Sequence, residues 1–391
     1  MPSRPRSPRW LLHGVAWAVG IGAFVVVLTP PEECPEVDVA AVDGAIEGAA
    51  RWAATNQDAT GRFTYGYDRD RDQVSQAYNL VRHAGMVNSL FQVAAAGDDR
   101  FADAAERGLD FMLDRLVTTT DGASAFAEQG DSAKIGATGL LVASLHHRRL
   151  VTGGDAHDDL MRAAGRFLRG QIEEGGSILA FWDPRTGLPV PDLYSAFGTG
   201  EAFWALALLD ESFPGEGWGA DARRIGRYVA VDRRQHEDLW LRIPDHWAAY
   251  GFSALGTGLA EPEITYLRRL AGDFGLMTRF ESSRQADTPG GWLRGPDALG
   301  AGVGALGEGL GSLWRLAQVE PRLADLADDL QERSDCVAGL LTARQVSADA
   351  AATMPSPDLA AGAWFHGGYT QVDDQQHAIS ALLVAREVLA P

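Results

Sequence analysis

Lys134 is the only lysine among 391 residues, in a chain whose remaining basic side chains are arginine and histidine. An amine can lose its proton when desolvated and a guanidinium cannot, so a base working beside a carboxylate would have to be a lysine here. Its alternative use is as one more cation capped by Asp131 or Glu128. Histidine shuttles protons near neutrality. Two carboxylates facing each other roughly 5 to 10 Å apart, one with a raised pKa, hydrolyse glycosides. Carboxylates that could form such a pair are Glu128, Asp131, Asp183, Asp192, Glu201, Asp245, Asp297, Glu308 and Asp373. The candidate catalytic groups are Lys134, His83, Glu201, Asp373 and His377. Tyr78, Asn79, Arg82, Tyr194, Asp245, His246, Trp292, Trp364 and His366 are the candidate ligand contacts, aromatics stacking on a ring and polar groups orienting it. For any single one of these, capping a helix or closing a loop over the core is the competing use. His83, His246, His366 and His377 lack a close His-x-x-x-His spacing, so no metal is expected, and no other cofactor either. Cys34 and Cys336 are too few for a thiolate metal site but could form one disulfide.

These residues are related by a repeat. The stretch QAYNLVRHAGMVNSL ends in Ser89-Leu90, and comparable endings recur at Ser144-Leu145, Ala205-Leu206, Ala254-Leu255, Ser312-Leu313 and Ala381-Leu382. Each closes a run of small and apolar residues, and successive leucines lie 55, 61, 49, 58 and 69 residues apart, room for a second helix and two loops. The intervening helices, near residues 39–54, 100–116, 156–172, 220–231, 261–274 and 322–343, mix charges with an apolar stripe, as half-exposed helices do. The repeated runs are poorer in charge. GAGVGALGEGLGSL has low helix propensity and needs close neighbours to stay helical. Six inner helices inside six outer ones supply such neighbours. The outer-to-inner connections are long and carry the aromatic and polar residues, so they open on one face, at the inner-helix N-termini, where free N–H groups favour anions. Counted back from the recurrent leucine, Tyr78 and Tyr194 share one place and Asn79 and Lys134 the next. The last pair, with Tyr78, Arg82 and His83, is expected to form one wall of a ligand site.

Ahead of the repeats, residues 1–9 carry Arg4, Arg6 and Arg9 and precede the apolar run Trp10 to Leu28. A run of that length spans about 28 Å as a helix, close to a hydrocarbon core. The sequence therefore predicts a cytoplasmic basic segment (1–9), a transmembrane anchor (10–29) in contact with lipid, a stiff linker (30–38) and an extracytoplasmic body (39–391). A net charge of −19 with scattered arginines gives a nucleic-acid partner no electrostatic support, so none is expected.

With its glycine-aromatic segments Gly290-Gly291-Trp292 and Gly362-Ala363-Trp364, the repeat over 39–391 resembles the (α/α)6-toroid superfamily. Its members include terpenoid cyclases, glucuronyl C5-epimerases, glycoside hydrolases, polysaccharide lyases and lanthionine cyclases. Zinc-binding lanthionine cyclases use two cysteines, and only Cys336 lies in the body. Val372-Asp373-Asp374 partly matches the acidic proton donor of triterpene cyclases. The resemblance implies an all-α (α/α)6 toroid, behind the expected anchor. It also implies an enzyme acting on a cell-envelope carbohydrate by hydrolysis, elimination or epimerisation, with hydrolysis favoured by the abundant carboxylates. A terpenoid-cyclase-like enzyme and a non-catalytic glycan-binding or assembly module are the alternatives.

Overall fold

Helices of the body begin where the sequence supplies a cap or a loop that turns inward. Asp38 accepts a hydrogen bond from Ala41 N at 2.8 Å and opens α1, Val39–Thr55. Asn79 does the same through Val81 N for α2, Leu80–Ala95. There follow α3, Ala102–Leu113; α4, Ile135–Thr152; α5, Asp158–Gly170; α6, Gly198–Ser212; α7, Trp218–Val231; and α8, His246–Leu255. The last four are α9, Glu261–Ser282; α10, Ala301–Val319; α11, Ala327–Arg344; and α12, Val372–Leu389. The structure, a computed structural model, describes residues 9–28, 32–128, 132–237, 244–284 and 301–390.

Even-numbered helices touch in sequence order around a closed ring, α2 to α4, α6, α8, α10 and α12 and back to α2. Odd-numbered helices pack outside them. The chain is therefore an all-α (α/α)6 toroid, as the repeat predicts. The two rings differ as the sequence suggests: the outer helix α5 buries one stripe, Met161, Ala164, Phe167 and Leu168, while α6 is buried continuously from Gly198 to Leu209. Short antiparallel strands lie in the long loops. Gly66–Asp68 pairs with Gln73–Val74 and with Tyr369–Gln371, joining the first repeat to the last. Ala133–Lys134 pairs with Phe181–Asp183, and these loops satisfy their backbone groups in that way.

Helix α10 has the sequence AGVGALGEGLGSLWRLAQV, and several of its glycines lie directly against α12. A Cβ at Gly304 would lie 2.5 Å from the carbonyl carbon of His377, and one at Gly307 would lie 2.7 Å from Ala381 Cβ. Gly311 meets Val384 in the same row. The helix axes can approach because one face of α10 has no side chains, and the buried faces of both helices repay the glycines' poor propensity.

Cys34 and Cys336 are joined by a disulfide, with their Cα atoms 4.9 Å apart. Cys34 precedes α1 whereas Cys336 lies midway along α11, so the linker has to run back along that helix. It does so: Pro35 packs on Gly339, and Glu32 reaches Arg333 at 3.6 Å and Arg279 at 3.8 Å.

The expectation of a single-pass membrane protein is corrected. Residues Arg9–Leu28 are helical, but among the described residues no helix is long and apolar enough to cross a membrane. The apolar run of Arg9–Leu28 is interrupted by His13 and by three glycines, Gly14, Gly20 and Gly22. Membrane lipid as a partner through this helix loses its basis with the span.

Two outcomes follow from this packing. Thiol titration of the denatured protein should detect no free thiol before reduction and both cysteines after it. Replacing both by serine should lower the melting temperature, the loop-entropy limit being about 5 kcal/mol. Gly304→Ala should cost on the order of 1 to 3 kcal/mol by overpacking, read by denaturant unfolding, because its methyl group meets backbone that cannot rotate away.

Candidate functional site

The inner-helix N-termini converge on a cavity of about 320 Å³ at the open end of the ring. That volume lies at the small end of ligand sites and admits a monosaccharide-sized molecule. Its charged lining comprises Arg82 on α2, Lys134 before α4, Glu201 on α6, His246 at the start of α8, and Asp373 and His377 on α12. Asn79, Phe181 and Phe197 complete the mouth.

At the floor, Glu308 of α10 lies next to α12 because Gly304 and Gly307 allow the two helices to meet. Glu308 is 1 % exposed, with Oε2 2.5 Å from His377 Nδ1, and Tyr250 OH donates to Oε1 at 3.3 Å. His377 Nε2 is 3.7 Å from Asp373 Oδ1. Burial opposes a charge on His377, but Glu308, Asp373 and Asp374 outweigh it and raise its pKa to about 9. Burial raises Glu308 as well, with His377 opposing.

His246 lies beside this pair, its ring centroid 5.0 Å from that of His377 and its Nε2 3.7 Å from Glu308 Oε2. It is 2 % exposed, and neither ring nitrogen has a hydrogen-bond partner among the described residues. Burial, and then the charge on His377, lowers its pKa well below the usual value, so the imidazole is neutral at pH 7. An orphaned buried nitrogen costs about 1 to 3 kcal/mol and needs an explanation in function.

Glu201 is 5 % exposed, and its carboxyl rests on the bare Cα of Gly136. Burial raises its pKa to about 8, with His377 opposing and Asp373 reinforcing, so it holds a proton at neutral pH. Arg82 donates to Gln371 Oε1 at 2.7 Å and to Tyr65, and ion-pairs with Asp373 at 3.2 Å.

His246, Glu308 and His377 offer ligand atoms within 4.8 Å of one another, the donor types a transition-metal ion prefers. Ligand atoms on one such ion stand about 3 Å apart or more, given bonds near 2.1 Å. The 2.5 Å between Glu308 and His377 is a hydrogen-bond distance instead, so a proton occupies the place an ion would take.

The structure brings Lys134, Glu201, Asp373, His377, Asn79, Arg82 and His246 to one cavity. Others expected there lie elsewhere. His83 points between the rings, with Nδ1 2.7 Å from Tyr78 OH and Nε2 2.9 Å from Gly108 O. Packed among Phe63, Phe111 and Phe126, it has its pKa lowered to about 4 by burial and lies in the core, away from the cavity. Tyr78 is its partner and accepts from Phe63 N at 3.2 Å. Tyr194 donates to Glu173 at 3.0 Å, outside the cavity. Asp245 caps α8 through Ala248 N and pairs with the buried Arg233 at 2.6 Å. Trp364 is fully buried, donating to Leu341 O at 2.8 Å. His366 sits on an exposed hairpin, its N–H bonded to Tyr369 O. Trp292 lies outside the described residues. Glu308, which the sequence offers only as one of many carboxylates, is the group that keeps His377 charged. The signal that could have found it is a lone charge inside a glycine-rich inner helix, where nothing solvates it.

No family model matches the chain, and no curated protein is similar to it in sequence. Solved structures share its fold. An unsaturated glucuronyl hydrolase specific for heparin is 12% identical with a TM-score of 0.58 over 90% of this chain and 98% of its own. A D-mannose isomerase is 12% identical with a TM-score of 0.60 over 88% and 97%. A type II terpene cyclase from Scytonema is 13% identical with a TM-score of 0.54 over 90% and 100%. All are toroids of this type, and their chemistries differ, so the fold does not choose among them.

Glu201 and His377 make the protein weaken as pH rises, whereas His246, with its pKa lowered, acts the other way below pH 6.5. Glu201 has its folded pKa, about 8, above its ordinary 4.5, so the stability it contributes is complete below pH 4.5 and lost as pH rises through 8. His377, raised from 6.5 to about 9, acts in the same direction in a higher window. Urea unfolding of Glu201→Gln should therefore show a flatter profile between pH 5 and 8, by up to about 1.4 kcal/mol per pH unit, with the loss between pH 8 and 9 retained.

Proposed function

We propose that this protein is a carbohydrate-active enzyme that moves a proton between neighbouring atoms of a sugar, an isomerase or epimerase working in the cavity at the inner-helix N-termini. The observation that supports this reading is the pair His246 and His377, side by side on the floor in opposite protonation states. A neutral imidazole can take the proton from a carbon next to a carbonyl. The adjacent imidazolium can give its proton to the carbonyl oxygen as the electron pair moves there. The enediol collapses as the His246 imidazolium gives the proton to the former carbonyl carbon and His377 takes one from the hydroxyl on the carbon that lost it, which isomerises the sugar; epimerisation would instead need an acid on the opposite face of that carbon. Glu308 keeps His377 charged and oriented. Glu201, protonated, donates to a sugar oxygen, and the rings of Phe181 and Phe197 at the mouth suit the faces of a sugar. The likeness to a D-mannose isomerase agrees with this reading.

Hydrolysis is the second reading, and one observation favours it: Glu201 carries a proton and lines the same cavity as the ion-paired Asp373, an acid and a second carboxylate as a glycosidase needs. A terpenoid substrate suits the cavity poorly, because Arg82, Lys134, Glu201, Asp373 and His377 would all meet hydrocarbon.

Incubating the protein with a panel of aldoses and ketoses in D2O tests the reading. Proton NMR should show deuterium entering at the carbon next to the carbonyl, with a second sugar appearing. His246→Gln should slow that exchange by a factor of about 10² to 10⁴ while the circular dichroism stays unchanged. Absence of exchange with every sugar, together with release of reducing ends from polysaccharides that Glu201→Gln removes, would replace this reading by hydrolysis.

A further inference from the structure

Of the cationic groups that line the cavity, one has no ion-pair partner among the described residues. Arg82 is matched by Asp373 at 3.2 Å, and His377 by Glu308 at 2.5 Å. Glu201 is held protonated and contributes no charge at neutral pH. Lys134, exposed at the mouth, has no carboxylate within ion-pair distance among the described residues.

Position adds to charge. Lys134 occupies the N-cap position of α4, and no side chain caps that helix. Lys134 lies opposite Phe181 in a pair of short strands, and Ile135 N next to it donates to Ala180 O at 3.1 Å, which holds its backbone at the mouth. Across the cavity, Asn79 uses its side-chain oxygen on Val81 N, which leaves its amide N–H groups to donate. A helix N-terminus attracts anions through its free N–H groups, and a lysine in front of it reinforces the attraction. That the cavity is built for a ligand rests independently on His246, whose buried nitrogens have no partner among the described residues.

We infer that the sugar accepted here carries one acidic group, a carboxylate or a phosphate, bound by Lys134 and the first turn of α4 with Asn79 on the facing wall. This deepens the reading of the cavity as a sugar site and rests on it. Lys134 is then a clamp that orients the substrate over the two histidines, and it takes no proton itself.

Being the only lysine, Lys134 can be observed alone. Reductive methylation with 13C-formaldehyde labels its Nζ and the N-terminal amine, keeps both charges, and gives one side-chain signal in a heteronuclear spectrum. D-Glucuronate, glucose 6-phosphate, D-glucose, acetate and inorganic phosphate are titrated against that signal. The expected result is a saturable shift with glucuronate or glucose 6-phosphate at a Kd at least tenfold below that of glucose. Comparison of those two separates a carboxylate ligand from a phosphate ligand. Lys134→Gln, followed by calorimetry, should bring the acidic sugar to within about twofold of glucose, whereas Lys134→Arg should retain most of the preference. Equal affinity for glucose and both acidic sugars, an unchanged preference in Lys134→Gln, or no shift with any acidic probe would overturn the inference. A shift with acetate or phosphate but with no sugar would leave the anion clamp standing and overturn the carbohydrate reading beneath it.

Discussion

Everything at the floor of the site depends on how closely α10 can lie against α12. Gly304 and Gly307 present bare backbone to His377 and Ala381, and only that approach brings the Glu308 carboxylate within 2.5 Å of the His377 imidazole. A side chain on this face would separate the helices by more than an ångström, and a buried carboxylate without its partner is among the costliest groups a core can hold. The same device recurs on the opposite side of the ring, between α4 and α6. Gly136 of α4 leaves the space into which the Glu201 carboxyl folds. Two of the ring's small-residue contacts are thus also the places where its unusual carboxylates sit.

The electrostatics follow from that packing. Burial alone would make both histidines neutral and both glutamates protonated. The short contact with Glu308 reverses this for His377 alone, and the charge on His377 then pushes its neighbour His246 further towards neutrality. An acid and a base of the same residue type arise side by side because one has a carboxylate against it and the other has no hydrogen-bond partner among the described residues. Pairs of titratable groups driven apart in this way are how sites run acid and base chemistry at one pH. The toroid brings these groups together from three helices, α8, α10 and α12, and its other members apply the same frame to different reactions.

Much of the architecture was legible in the chain. The recurrent small-residue and leucine endings mark six helices with inner packing, and the charged, striped segments between them mark six outer ones; the ring has both. The lengths of the connections place the polar loops at one end, and Asn79, Arg82, Lys134, Glu201, Asp373 and His377 do share the cavity found there. The apolar run near the N-terminus misled: it reads as a span, and among the described residues no helix is long and apolar enough to cross a membrane. His83 misled for another reason: a single residue, about 100° of helix rotation, separates Arg82, which lines the cavity, from His83, which faces the outer ring, and repeat register does not resolve that angle.

Local chemistry is written in the order of residues: which segments are helical, which ends are capped, where the single lysine stands. These depend on neighbours a few positions away, so a reader of the sequence has the same information the folding chain uses. The pairing of Glu308 with His377, and the isolation of His246 next to them, depend on residues up to 131 positions apart meeting across helix interfaces. A carboxylate between two glycines is the same in sequence whether its partner is water, arginine or histidine. The partner is settled by the distance between α10 and α12, and with it the proton each group carries.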